Sequence, residues 1–229
     1  MPTISEQLAA LAVTDNLKHA TMPETWVKLP WSVNRGTSTE IGWEPESYGE
    51  GSQAGSRAGW YWSPAKVKGG NGATMLKRAG AFGHIGGRQF SVWLFTEGGE
   101  KPSGYQLVAY QAGTVGASVP ADTYTFKLRK WVGGAETPLG ETTSVGMEAT
   151  GSFAVVSLSG KVSAWVRQNE AAAWTLVGSE VNDTSFSEGF SGVDGNGSNP
   201  FLINFGSGTM TPLASGARVG SRMLQGVGR

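Results

Sequence analysis

An all-β sandwich is the fold class this sequence predicts, on two observations between Gln89 and Phe205: short runs in which apolar and polar residues alternate, and glycine-rich turns that separate them. In one run Phe90, Val92 and Leu94 point to one face while Ser91, Trp93 and Phe95 take the other. Tyr124, Phe126 and Leu128 repeat the pattern against Thr125, Lys127 and Arg129. Neighbouring strand side chains point to opposite faces, so this spacing buries one face and leaves the other mostly wet. The 229 residues suit one sandwich with terminal extensions, and the 35 glycines and 10 prolines fall between strands, without a collagen triplet or the monotony of a linker.

Taken in order, residues 1–40 read as an N-terminal arm or attachment segment, 41–208 as the sandwich and 209–229 as an irregular C-terminal tail. In the arm, Thr3 or Ser5 caps a short helix through Ala9, Leu11 and Leu17, with Ile4, Leu8 and Leu11 spaced for one face. That helix either packs on the sandwich or attaches the protein to a neighbour. Trp31 to Arg57 reads as a long loop with one strand at Ile41 to Trp43. Strands follow at Gly59 to Ser63 and Thr74 to Arg78, the second entered through the turn Lys68 to Gly72. Gln89 to Thr96 and Tyr105 to Gln111 form a hairpin. Thr123 to Val132 joins a strand around Pro138 to Thr143 through Gly133 and Gly134, which permit positive φ. Ser152 to Leu158 and Lys161 to Arg167 turn tightly at Ser159-Gly160, and Trp174 to Ser179, Gly189 to Val193 and Pro200 to Phe205 complete the set. About ten to twelve strands and one helix suit a jelly-roll of two packed antiparallel sheets. The tail follows the last acid, Asp194, and carries Arg218, Arg222 and Arg229.

Charge and cysteine content narrow the function. Eighteen basic and 18 acidic residues balance to zero, so no strong field gathers nucleic acid. Without cysteine there is no disulfide and no thiolate nucleophile or metal ligand. The first residues lack a basic region and a long apolar run, and no segment is apolar enough to span a bilayer, so neither secretion by signal peptide nor membrane insertion is expected.

The chemistry-bearing residues are few. Glycoside hydrolysis needs two facing carboxylates; Glu180, Asp183 and Glu188 are the candidates, but no Glu-x-Asp-x-Glu strand occurs. His19 and His84 have no triad or zinc spacing around them. The segment Asp194-Gly-Asn-Gly-Ser-Asn-Pro200 fails as an EF-hand loop, with Asn199 where glycine belongs and Phe205 where the bidentate glutamate belongs. It reads as an Asx-rich turn. No catalytic residue, metal site or cofactor is therefore expected. Of the nine tryptophans, Trp93 and Trp165 read as core. Trp60 and Trp62 share a strand face, which is core if covered and a sugar-stacking platform if open. Trp26, Trp31 and Trp43 read as anchors into neighbouring subunits. The candidate ligand-binding residues are Trp60, Trp62 and Trp174 with the polar loop residues Asp194, Asn196 and Asn199.

The order of Phe90-Ser-Val-Trp-Leu, Gly104-Tyr-Gln-Leu-Val, Tyr124-Thr-Phe-Lys-Leu-Arg, Phe153-Ala-Val-Val-Ser-Leu, Lys161-Val-Ser-Ala-Trp, Trp174-Thr-Leu-Val and Gly189-Phe-Ser-Gly-Val resembles the laminin-G-like, concanavalin-A-like jelly-roll over Gly59 to Phe205. A cysteine-free chain of this kind also resembles minor tail or surface proteins of bacteriophages infecting actinobacteria. That resemblance implies a non-enzymatic virion structural protein, a minor tail or decoration protein. It would assemble in the host cytoplasm as a homo-oligomer with other phage virion proteins and contact host-envelope glycan. The alternative is a free carbohydrate-binding module or lectin, and after it a glycoside hydrolase.

Overall fold

The computed structural model describes residues 2–15, 23–29, 57–78, 89–111, 123–148, 150–196 and 202–212. One helix, α1 (Ile4–Ala10), precedes β1 (Val13–Asp15), β2 (Trp26–Lys28), β3 (Arg57–Trp62), β4 (Gly72–Arg78), β5 (Gln89–Thr96), β6 (Gly104–Gln111) and β7 (Thr123–Val132). Then come β8 (Ala135–Pro138), β9 (Thr143–Gly146), β10 (Ser152–Leu158), β11 (Lys161–Arg167), β12 (Thr175–Asn182), β13 (Phe190–Asn196) and β14 (Leu202–Thr209). They form two antiparallel sheets: six strands in the order β1-β14-β4-β10-β11-β12, and eight strands built on β2-β3-β13-β5-β6-β7-β8, with β9 also paired to β7. The fold is the expected two-sheet jelly-roll, with a single short helix among the described residues.

The alternation works as the sequence implies. Val92, Leu94, Leu107, Phe126 and Val193 of the larger sheet meet Leu76, Phe153, Val155, Val166 and Phe205 of the smaller one in one buried cluster. Each fully buried side chain of this size contributes about 1.5–3 kcal/mol of apolar transfer. Polar groups caught between the sheets are hydrogen-bonded. Thr74 Oγ1 donates to Ser191 Oγ at 2.6 Å, and Ser207 Oγ donates to the same oxygen at 2.5 Å. The hairpin of β10 and β11 turns on Ser159 (φ 52°) and Gly160 (φ 76°), the paired positive angles of the two-residue turn that matches strand twist. Asn71 Oδ1 steadies it by accepting from Ser159 N at 2.9 Å.

Several local expectations need correction. The helix does not reach Leu17. It starts from Thr3, whose hydroxyl accepts from Glu6 N while the Glu6 carboxylate accepts from Thr3 N, and it ends at Ala10 because Leu11 is extended (ψ 119°). β-branched Val13 and Thr14 then leave the helix for β1, which pairs with β14. α1, β1 and β2 thus build the sandwich from within residues 1–40, and the expected boundary at 40/41 does not separate an arm from it. The helix lies on the outer face of the six-stranded sheet, where Ile4 and Leu8 pack with Met75, Val156, Trp174 and Met210. At the other end, β14 runs on to Thr209 and Met210 is buried, so the sandwich also passes 208. Trp26 is no anchor into a neighbour: it is buried in the core with its ring 4.8 Å from Phe205. The strand expected around Pro138 to Thr143 is two strands, β8 and β9, broken at 139–142, where Gly140 takes φ 77°. The strand at Ile41 to Trp43, Trp31, His19, His84, Asn199 and the tail beyond residue 212 lie outside the described residues.

Candidate functional site

The register that buries Val92 and Leu94 turns the alternate residues of the eight-stranded sheet outward. Reading across it, Tyr61 pairs with Gly192, Gly192 with Trp93, Trp93 with Gln106, Gln106 with Arg129 and Arg129 with Pro138. A second row holds Gly59, Asp194, Ser91, Val108 and Lys127. An ordinary wet face would carry scattered charges here. This one carries a connected polar and aromatic set.

Its centre is closed to solvent. Ser91, Trp93 and Gln106 are fully buried and Asp194 is 3% exposed. Trp93 Nε1 donates to Asp194 Oδ2 at 2.8 Å, and Gln106 Nε2 donates to the same oxygen at 3.1 Å and to Ser91 Oγ at 2.9 Å. Trp131 Nε1 donates to Gln106 Oε1 at 2.8 Å, with its ring 6.2 Å from that of Trp93. A buried carboxylate is tolerated where donors converge on it, and the fully connected chain fixes the rotamers of both indoles.

The face opens on either side of this centre. Toward β7 and β8, Arg129 Nη2 donates to Tyr110 Oη at 2.7 Å and Arg129 Nε lies 3.2 Å from Glu136 Oε1. Lys127 Nζ stands 4.8 Å from the Tyr110 ring centroid, within cation–π range. Beside these residues lies a cavity of about 200 Å³ lined by Lys127, Arg129, Glu136, Pro138, Gly140 and Thr142. It exists because β8 stops at Pro138, which a sheet interior would not accept, and Gly140 carries the chain around before β9 resumes pairing with β7. Toward β3, Tyr61 and Phe190 pack with centroids 4.7 Å apart, and Lys66 Nζ is 5.1 Å from the Phe190 ring.

The residues singled out in the sequence fall elsewhere for the most part. Trp60 and Trp62 do share a face, but it is the inner one. Trp60 is 4% exposed, and Trp62 packs on the core with its ring 5.4 Å from Trp26, so the opposite sheet covers the pair and no open platform exists there. Trp174 is buried with α1 on the outer face of the six-stranded sheet, its ring 5.4 Å from the Arg167 guanidinium. Asp194 lies on the outer face of the other sheet, so the two are not brought together. Asp194 is moreover a strand residue of β13 and not a loop ligand; Asn196 ends the same strand. Tyr110, Lys127, Arg129 and Glu136 were not among the sequence candidates. Lys127 and Arg129 were signalled only as the wet half of the alternation in β7, and Tyr110 of β6 and Glu136 of β8 carried no signal of their own.

The three acids considered for hydrolysis do not face one another as a pair. Glu180 binds Lys161 at 2.8 Å and Glu188 lies 3.8 Å from Lys66. Asp183 sits at the rim of the sandwich, where Lys130 Nζ donates to Oδ2 at 2.5 Å, and Tyr105 Oη (2.6 Å) and Ser185 N (2.9 Å) donate to Oδ1. Burial alone would raise the pKa of this carboxyl, but the donors from Lys130, Tyr105 and Ser185 outweigh it and hold Asp183 well below the ordinary aspartate range. Burial and the neighbouring carboxylate push the Tyr105 phenol the other way, well above the ordinary tyrosine range.

No family model matches the chain, and no curated protein matches it in sequence. Solved structures do match in shape. The carbohydrate-binding module CBM66 from Bacillus subtilis is 13% identical with a TM-score of 0.52, covering 82% of this chain and 98% of that one. A legume lectin-like domain from Entamoeba histolytica is 12% identical with a TM-score of 0.51, covering 89% of this chain and all of the other. The CBM2 module of the Lactobacillus casei BL23 phage J-1 evolved Dit is 10% identical with a TM-score of 0.50, covering 84% and 90%. At such identities the likeness shows the concanavalin-like jelly-roll fold and nothing finer.

Proposed function

We propose that this chain is a carbohydrate-binding module that holds its ligand on the outer face of the eight-stranded sheet, at the cavity beside β7 and β8. The observation that carries the reading is the Arg129 and Glu136 pair on the wall of that cavity, with the Tyr110 hydroxyl accepting from the Arg129 guanidinium beside it. Saccharides present hydroxyl rims and flat apolar ring faces, and they are held by planar hydrogen-bonding groups set against aromatic rings. The Arg129 guanidinium, fixed on one side by Tyr110 and on the other by Glu136, offers donors. Glu136 and the Thr142 hydroxyl offer acceptors. The space of about 200 Å³ is below the roughly 300–1,000 Å³ of drug-sized ligand pockets, so it takes one ring of a chain and not a folded oligosaccharide. Gln106 pairs with Arg129, so the Trp93, Asp194, Gln106 and Trp131 network beside the cavity holds the neighbouring strands rigid, which lowers the ordering cost of binding. Binding modules and lectin-like domains among the similar folds support the reading.

A glycan array probed with the whole chain, followed by calorimetric titration of the best ligand, tests it. The expected result is a saccharide bound with micromolar to millimolar affinity, weakened about tenfold by Arg129→Ala, the loss of one charge-assisted contact. A folded chain that binds no glycan overturns it.

A second reading concerns where the module works. Its likeness to a phage-borne module supports carriage on a bacteriophage particle, beside other virion proteins and in several copies. The native mass and the chains that co-purify test this. A multi-protein particle containing the chain supports it, and a lone monomer in phage lysates removes it.

A further inference from the structure

The charges around the cavity do not balance. Arg129 is matched by Glu136 at 3.2 Å. Glu141, in the turn that closes the cavity, lines instead a separate inner void of about 10 Å³ with Ser179 and Val177. Lys127, on the same wall, reaches over the Tyr110 ring and has no carboxylate partner among the described residues. Among the described residues Lys127 is therefore an uncompensated cation, held against an aromatic ring and facing a space the size of a sugar. An ammonium fixed in that way is a point-charge receptor for an anion, and it would gain little from a neutral hydroxyl that water does not already supply.

Resting on the carbohydrate-binding reading, we propose that the cavity selects acidic saccharides, with the ring against Arg129 and Pro138 and its carboxylate or phosphate on Lys127 Nζ. The two kinds of anion share this chemistry. Arg129, already bound to Glu136, positions the ring and does not supply the free charge.

The test is calorimetric titration of the whole chain with two matched pairs. The first is trigalacturonate against its methyl ester, which removes the charge and keeps the ring; the second is glucose 1-phosphate against glucose. Inorganic phosphate is titrated alone as a control. The acidic member of at least one pair is expected to bind about tenfold tighter than its neutral partner, in line with one charge-assisted contact. That ratio should shrink as salt rises from low to several hundred millimolar, because an exposed charge contact is screened. Lys127→Met should bring the ratio close to one and flatten the salt dependence, while Lys127→Arg keeps both; thermal melts of the variants confirm folding. Which pair responds tells carboxylate from phosphate. Equal binding within both pairs overturns the proposal, as does phosphate alone binding as tightly as the sugar phosphate, or a ratio unchanged by Lys127→Met. Absence of binding by all probes also overturns it. In that case a neutral ligand found on the glycan array leaves the carbohydrate reading standing, and an array without any ligand removes both.

Discussion

The sandwich has two outer faces, and they are built to opposite ends. On the six-stranded sheet an apolar patch, Ala73, Met75, Ala154 and Val156, is sealed beneath Ile4 and Leu8 of a two-turn helix, with Lys77, Ser152 and Arg167 at its margin. On the eight-stranded sheet the outward residues include Asp194, Ser91 and Gln106, joined by hydrogen bonds, and Tyr110, which accepts from Arg129 and lies under Lys127. Both sheets share one core between them. The difference shows that a jelly-roll can spend one outer face on stability and leave the other to carry chemistry, and that the sequence alternation specifies which is which by what it places in the outward half.

Four measurements probe that division, beginning with the largest effect. Leu8→Ala, at a side chain only 1% exposed, should cost about 2–5 kcal/mol in urea unfolding while leaving saccharide affinity unchanged. A large loss of affinity would show that the two faces are coupled. Asp194→Ala strands the Trp93 indole N–H and one Gln106 hydrogen in a dry interior, and should cost about 2–3 kcal/mol and also weaken binding, since it loosens Gln106, which pairs with Arg129. Thr3→Ala removes the helix cap and should cost about 1 kcal/mol, again without effect on affinity. Arg129→Ala, on a partly exposed strand position, should change stability by no more than about 0.5 kcal/mol while reducing affinity, the inverse of Leu8→Ala.

A further prediction concerns the rim, where the two sheets meet through Asp183. Its folded-state pKa is depressed, so the stability it contributes is present above the ordinary aspartate value and is lost as pH falls below about 4. Tyr105, raised by burial and by Asp183, contributes below the ordinary tyrosine value and loses that contribution as pH climbs beyond about 10. Melting temperature against pH should therefore fall on both limbs, and Asp183→Asn should flatten the acid one. An unchanged acid limb would remove Asp183 as its cause.

The fold was legible where the chain's own local rules agreed with its packing. Val92 and Leu94 against Ser91 and Trp93, and the Ser159-Gly160 turn, needed only period two and a tight hairpin to be read. The helix was overextended because Leu11 and Leu17 fit its period, although only Ile4 to Ala10 is helical and Val13 and Thr14 prefer the extended form. The break at Gly140 was hidden because Pro138 and Thr143 end two short strands that resemble one. The site itself could not be read. Tyr61, Gly192, Trp93, Gln106 and Arg129 come from five strands far apart in the chain, and only the register of those strands places them in one row. Asp194 was noticed for the Asx-rich stretch that follows it, whereas its role comes from Trp93, which lies 101 residues away.

The Gln7 side chain donates to Thr211 O at 3.0 Å and accepts from Thr211 N at 2.7 Å. The earliest and latest described parts of the chain are thereby knotted together on the back of the molecule, the side away from Tyr110 and Arg129. A tether to a bead, a fusion partner or a larger body, made through the vicinity of either residue, would carry every copy with the same heading, cavity outward. Many weak grips presented in parallel on one support would then add as avidity, which scattered orientations would forfeit.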